Sequence, residues 1–100
     1  MSTGQSAQSI QLSVVVPVFQ EEESLPHLQE TLVTSLESLG RSWEILYCDD
    51  GSTDGSFRLL EEFAAAEPRV RVISFRRNFG QTAALAAGFE HAIGEVVVAM

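Results

Sequence analysis

One hundred residues with 45% apolar content is the size of one modest domain with a packed core, not of a disordered tail. Six Arg, no Lys and 14 acidic residues leave a net charge of −8, which repels a phosphate backbone over most of the surface and argues against a nucleic-acid partner. Cys48 is the only cysteine, so an internal disulfide is excluded and a reducing, cytoplasmic compartment is expected.

Residues 1–11 are expected to be a flexible tail. Ser2 to Ser9 is polar and lacks Lys and Arg, unlike the charged start of a secretory signal. No apolar run approaches the roughly 18–20 residues that span a bilayer. The first predicted element is a β-branched run, Leu12 to Phe19, expected to end near Pro17 because proline cannot donate to a ladder. After the acidic loop Gln20-Glu21-Glu22-Glu23, Ser24 is a candidate N-cap and Pro26 fits the first turn of a helix. Leu25, Leu28, Leu32, Leu36 and Leu39, with Val33 beside them, form its apolar stripe, and Gly40 is the expected stop.

The most informative stretch follows, from Trp43 to Ser56. Ile45-Leu46-Tyr47-Cys48 is too continuously apolar for a strand with one wet face, so it is predicted to be covered on both sides, as in a parallel sheet. Asp49 and Asp50 then stand at its carboxyl end, the edge where open α/β sheets bind ligands. Asp54 or Ser56 caps a second helix carrying Phe57, Leu60, Phe63 and Ala64 on one face and ending before Pro68. Val70 to Phe75 alternates as a third strand, and Arg76-Arg77-Asn78-Phe79-Gly80 is a basic connection. Gln81 to Ile93 is an Ala-rich third helix, with Leu85, Gly88, Phe89 and Ala92 on one face and Gly94 as a stop. Glu95 to Met100 is a fourth strand, still apolar where the sequence ends. The order β-α-β-α-β-α-β predicts a parallel α/β sheet, the half of a doubly wound fold. A sheet cut there exposes apolar surface and an unpaired edge, so self-association is expected.

No G-x-G-x-x-G or G-x-x-x-x-G-K is present, which removes the dinucleotide and P-loop readings. What remains is a rim of carboxylates: Glu21 after the first strand, Asp49 and Asp50 after the second. Such groups suit base N–H, ribose hydroxyls or a divalent cation, or else form a solvated acidic rim. The spacing Asp50, Ser52, Asp54, Gly55, Glu61 also fits an EF-hand loop, so a non-catalytic domain with Ca²⁺ bound between Asp50 and Glu61 is the alternative. A calcium loop needs an entering helix, whereas Ile45 to Cys48 is strand-like. Asp49-Asp50-Gly51-Ser52-Thr53 also touches phosphotransfer signatures, but those place the acid after the first strand. Gly51 and Gly55 are expected to supply positive φ for a tight turn. His27 and His91 have no partners at ligand spacing. Cys48 is expected to be a packing residue with its backbone near a ligand. Arg76 and Arg77 either meet a diphosphate or offset nearby acid.

Three motifs together resemble the amino-terminal half of the family 2 glycosyltransferases, which have the GT-A fold. They are Val14-Val15-Val16-Pro17-Val18-Phe19-Gln20-Glu21-Glu22-Glu23, Tyr47-Cys48-Asp49-Asp50-Gly51-Ser52-Thr53-Asp54-Gly55 and Arg77-Asn78-Phe79-Gly80. The match runs from about Leu12 to Met100, and the third motif with its Ala-rich helix is most similar to the branch that loads a sugar onto a polyprenyl phosphate. The resemblance implies a Rossmann-like nucleotide-binding half, residues 12–100, and a parent transferring sugar from a UDP- or GDP-linked donor at the cytoplasmic face of a membrane. It implies that Pro17, Phe19 and Glu21 line the nucleoside pocket, Cys48 contributes backbone, Asp50 hydrogen-bonds the base and Arg77 reaches toward the nucleotide. That leaves Asp49 to tie down its own loop. Phe19 and Gln20 stand where the family often has Tyr and Asn. The implied Mg²⁺ or Mn²⁺ is expected on an Asp-x-Asp motif beyond Met100, with the acceptor site there too, so the 100-residue chain alone is expected to be inactive.

Overall fold

A computed structural model describes residues 9–100. Strands β1 (Leu12–Val18), β2 (Trp43–Asp49), β3 (Val70–Ser74) and β4 (Val96–Ala99) alternate with helices α1 (Leu25–Glu37), α2 (Ser56–Ala66) and α3 (Gln81–His91). All strand pairs are parallel and the spatial order is β3-β2-β1-β4. The chain steps outward from β1 through β2 to β3, then returns to the other side of β1. The order therefore reverses beside β1, and a crevice opens at the carboxyl ends of β1 and β4. Residues 1–8 of the expected tail lie outside the described residues. Residues 9–11 are fastened: Ser42 Oγ donates to the Ser9 carbonyl, and the Ile10 and Gln11 carbonyls accept from Glu95 and Val96 N–H.

The alternation of side chains sorts the sheet into two cores. Val14, Val16 and Val18 of β1 join Trp43, Ile45 and Tyr47 of β2 under α1 and α2. Val15, Leu46 and Cys48 face α3 through Ala84. Every residue of β2 is buried, the doubly covered strand that its unbroken apolar run predicts. Pro17 lies inside β1, which runs one residue further than expected. Leu12 and Val18 bond toward β2, whereas Gln11 and Val15 accept from β4. Pro17 shares the β4-facing parity, and the β4 register ends at Val15↔Ala99, so its missing N–H costs no ladder bond.

Helix α1 stops before Gly40 because its last turn tightens. Leu39 N–H bonds the Leu36 carbonyl, which swings Leu39 out to 53% exposure and removes it from the stripe. Ser24 does not cap α1: its backbone is already helical and its hydroxyl turns back to Glu21. Helix α3 keeps Leu85, Gly88 and Ala92 of its predicted face against the sheet, with Gly88 and Ala84 buried, while Phe89 is exposed. A Cβ at Gly88 would stand 2.2 Å from Val15 Cγ1 and 2.9 Å from Cys48 Sγ, so the absence of a side chain lets α3 lie against the sheet. Val96, Val98 and Met100 leave the β4 side of the sheet exposed and apolar.

The end of the sheet away from the crevice is closed by Glu44, a charged residue inside the core strand with 3% exposure. Its Oε2 accepts from Ser13 Oγ at 2.6 Å and Ile93 N–H at 3.0 Å, and its Oε1 from Arg71 Nε at 2.9 Å. Ser13 Oγ in turn accepts from Gly94 N–H at 2.8 Å, and Arg71 donates to the His91 carbonyl. This network ends the helix after the Ala92 N–H has bonded the Gly88 carbonyl, because the Ile93 and Gly94 N–H groups are claimed by β2 and β1. Burial pushes the Glu44 carboxyl up, but the hydrogen bonds from Ile93, Ser13 and Arg71 and the Arg71 charge outweigh it and hold it below the usual carboxylate value. A depressed carboxyl stabilises fully above its unfolded value of about 4.3 and loses that contribution as pH falls through the folded value. Denaturation across pH is therefore expected to show the advantage of the unaltered protein over Glu44→Gln constant above about pH 5 and shrinking toward pH 3. An advantage unchanged over that range would count against this role.

Candidate functional site

The crevice at the strand reversal has a volume of ≈ 380 Å³ and is lined by Pro17, Phe19, Glu21, Asp50, Gln81 and Met100. Each arrives for a topological reason. Pro17 and Phe19 end β1 and begin its loop, Asp50 is the first residue past β2, Gln81 opens α3 and Met100 follows β4. The Phe19 ring is 46% exposed, an aromatic face offered to the cavity. Glu21 lies at the rim shared with a second pocket of ≈ 400 Å³ lined also by Gln20, Glu22, Glu23, Ser24 and Asp54.

Asp50 is the most connected residue of the site. It is 3% exposed, and its Oδ1 accepts the Phe79 N–H at 2.7 Å. Its Oδ2 accepts Asn78 Nδ2 at 2.8 Å and the Gly80 N–H at 3.0 Å. Its own N–H bonds the Val18 carbonyl at 2.8 Å. The carboxylate thus pins the β3–α3 connection over the end of β2. Gly51 makes room for it: φ is +75°, and a Cβ would stand 2.2 Å from the Arg77 carbonyl carbon. Gly55 has no positive φ. A Cβ there would meet the Glu22 carboxylate, which accepts the Gly55 N–H at 3.0 Å.

The loop-fastening role expected of Asp49 falls to Asp50, which also lines the crevice. Alternation does send them apart, but Asp50 ties down a loop, while Asp49 is buried with its Oδ1 lacking any hydrogen-bond partner. Asp54 is the residue that starts α2, its Oδ1 accepting the Ser56 N–H at 2.9 Å. That bond and its companions hold the Asp54 carboxyl below its usual value, led by the contact with Ser56.

Of the residues proposed from sequence, Pro17, Phe19, Glu21 and Asp50 meet in the crevice. Cys48 and Arg77 do not line it. The Cys48 side chain is buried beneath α3, where loss of hydration pushes its thiol up to about 11. Arg77 is exposed and rests its guanidinium over the Phe79 ring, 5.0 Å from the centroid, while Phe79 meets Phe75 edge-on. Gln81 and Met100 were missed because neither type signals a site, and only the helix start and the strand end bring them there.

The calcium alternative does not fit this geometry. A strand, not a helix, enters the loop, and the Asp50 carboxylate is spent on residues 78–80. Among the described residues no three His, Cys, Asp or Glu side chains converge as a metal-binding group. The described residues likewise do not form a Mg²⁺ or Mn²⁺ centre. No helix of the described residues is long and apolar enough to cross a membrane.

A parallel sheet in the order 3-2-1-4 with a carboxylate-rimmed crevice at its reversal defines a Rossmann-like α/β unit of the GT-A type. Solved structures share it. S. aureus TarS (residues 1–349) superposes with a TM-score of 0.73 at 24% identity, over 90% of this chain and 27% of that one. The mannosyltransferase PcManGT from Pyrobaculum calidifontis, in complex with GDP-Man and Mn²⁺, gives 0.68 at 23% identity, over 89% and 26%. The profile described as Glycosyl transferase family 2 matches residues 13–100, and the chain belongs to that family. Among curated relatives, the undecaprenyl-phosphate 4-deoxy-4-formamido-L-arabinose transferase of Pectobacterium carotovorum subsp. carotovorum (strain PC1) is 46% identical over 91 residues. The enzyme of that name from Salmonella paratyphi B is 44% identical over 90 residues. In both comparisons the match takes in 89% of this chain, which spans 28% of the relatives' length.

Proposed function

We propose that the chain is the nucleoside-binding half of a glycosyltransferase that moves a sugar from a nucleotide sugar to a polyprenyl phosphate. The observation that carries this reading is the crevice itself, where an exposed aromatic ring, an exposed rim carboxylate and a proline-stiffened strand end meet at the reversal of strand order. Phe19 packs against the base or ribose, and Glu21 accepts hydrogen bonds from ribose hydroxyls or base N–H. Asp50 closes the floor and adds negative charge beside a base N–H. Arg77, one loop away, is within the connection that borders the nucleotide's phosphates, and the backbone of Cys48 underlies the site. The names of the undecaprenyl-phosphate transferases support the acceptor class, and a neighbour holding GDP-Man and Mn²⁺ supports the donor class. In this reading a divalent cation takes its ligands from outside residues 9–100, and the parent works at the cytoplasmic membrane face. The apolar β4 edge supports self-association of the chain as well.

Calorimetric titration with UDP and, in parallel, GDP tests the reading. One of the two is expected to bind, and Phe19→Ala and Glu21→Ala are each expected to weaken it by about 10-fold or more, given the worth of base stacking and of a charged hydrogen bond. Binding of neither nucleotide, or binding that ignores both substitutions, would overturn it.

A further inference from the structure

Among the described residues Gln20 is the only non-glycine with positive φ, at 55°. It lies between Phe19 and Glu21, which both line the crevice, yet does not line it itself. A left-handed backbone at a residue with a Cβ persists only where its surroundings over-determine it. Here they do. The Gln20 N–H donates to Ser52 Oγ at 3.0 Å. Its side-chain Oε1 accepts the Thr53 N–H at 2.6 Å and the Asp54 N–H at 3.3 Å, while Nε2 donates to Thr53 Oγ1 at 3.1 Å. The next residue continues the seam, with Glu21 N–H on the fully buried Ser56 Oγ at 2.9 Å.

A glutamine is the one neutral side chain whose amide reaches across this gap and both accepts and donates there. Without the side chain, only the Gln20 N–H bond to Ser52 Oγ would hold position 20 to residues 52–54, because the other bonds of the seam belong to Glu21 and Glu22. We infer that Gln20 is a positioning residue for the nucleotide crevice, fixing where Phe19 and Glu21 stand by fastening the β1–α1 loop to the β2–α2 loop. It touches no ligand. This inference rests on the reading that the crevice takes a nucleoside.

The experiment uses the nucleotide, UDP or GDP, that the unaltered protein binds. Gln20→Ala is expected to weaken binding by about 10-fold, since a displacement near 1 Å of positioning groups has effects of that order or larger. Thermal stability is expected to fall little, because the residue is exposed. Gln20→Gly relieves the φ strain and removes the side chain, and is expected to weaken binding equally. Gln20→Glu keeps the acceptor for Thr53 and Asp54 N–H and is expected to retain most of the affinity. The decisive readout is coupling: in a Phe19→Ala, Glu21→Ala background, Gln20→Ala is expected to have almost no further effect on affinity. Additive losses, full affinity in Gln20→Ala, or recovery in Gln20→Gly would overturn the positioning role while leaving the crevice reading intact. Binding of neither nucleotide by the unaltered protein would overturn both.

Discussion

Replacing Asp50 by alanine is expected to lower stability by about 3 kcal/mol or more, whereas the same change at Asp49 is expected to be close to neutral, within about 1 kcal/mol. Asp50 accepts from Asn78 Nδ2 and from the Phe79 and Gly80 N–H groups, all to an ionised acceptor. Each bond of that kind contributes roughly 1.5–3 kcal/mol, and water recovers part of it because the loop over Asp50 is at the surface. Asp49 makes no comparable bond. Removing its unpartnered Oδ1 relieves a desolvation cost that partly offsets the small cavity left behind. For a chain of this size, 3 kcal/mol corresponds to a fall in melting temperature of roughly 12–24 °C. Thermal melts of the two variants side by side give the answer. Equal destabilisation by both, or a larger loss at Asp49, would refute the assignment.

The second large effect is expected at Gly51→Ala. Left-handed backbone with a Cβ costs roughly 1–2 kcal/mol, and overpacking adds about 1–3 kcal/mol. Here the atoms in the way are backbone: the Arg77 carbonyl carbon at 2.2 Å, Asn78 N at 2.5 Å and Arg77 Cα at 2.6 Å. A side chain can turn aside, but these atoms move only if the 77–80 connection lifts, which would also break its bonds to Asp50. The expected total is about 2–5 kcal/mol, read as a lowered denaturant midpoint with an unchanged slope. Gly40 is the control. Its φ is +68° but nothing lies within 4 Å of a Cβ, so Gly40→Ala is expected to show the backbone cost alone. If the two variants were equally destabilised, the close approach of the loops would carry no energetic weight.

These effects turn on contacts that a linear reading reaches unevenly. The parallel sheet was legible because Ile45 to Cys48 has no polar gap, and only two-sided burial explains that. The crevice was legible from Glu21 and Asp50, which fall at strand ends whatever the loops do, while Phe19 was legible only through the family resemblance. Illegible were the partners across the fold. Glu44 is a lone charge in an apolar run, and its meaning lies in Arg71 and Ile93, which are adjacent only after the sheet is assembled. Gln20 carries a conformation that sequence rules reserve for Gly, Asn or Asp, so its type hides its backbone. Of the face Leu85, Gly88, Phe89 and Ala92, only Phe89 turns to solvent, because helical periodicity places an apolar stripe without saying where its edge falls. The closest approach to the sheet is made by Gly88, which has nothing to bury.

The strand order also sets the order in which the crevice comes into being. Neighbours β1 and β2 pair Leu12 with Trp43, and β2 pairs Ile45 with Val70, so both ladders close short stretches of chain. The β1–β4 ladder pairs Leu12 with Val96 and closes the longest stretch of the three ladders, with the largest loop-closure entropy among them. A chain emerging from the ribosome can form its β1-β2-β3 layer while α3 and β4 are still being made. The crevice, whose far wall is the end of β4 and the start of α3, is then the last part of residues 9–100 to close.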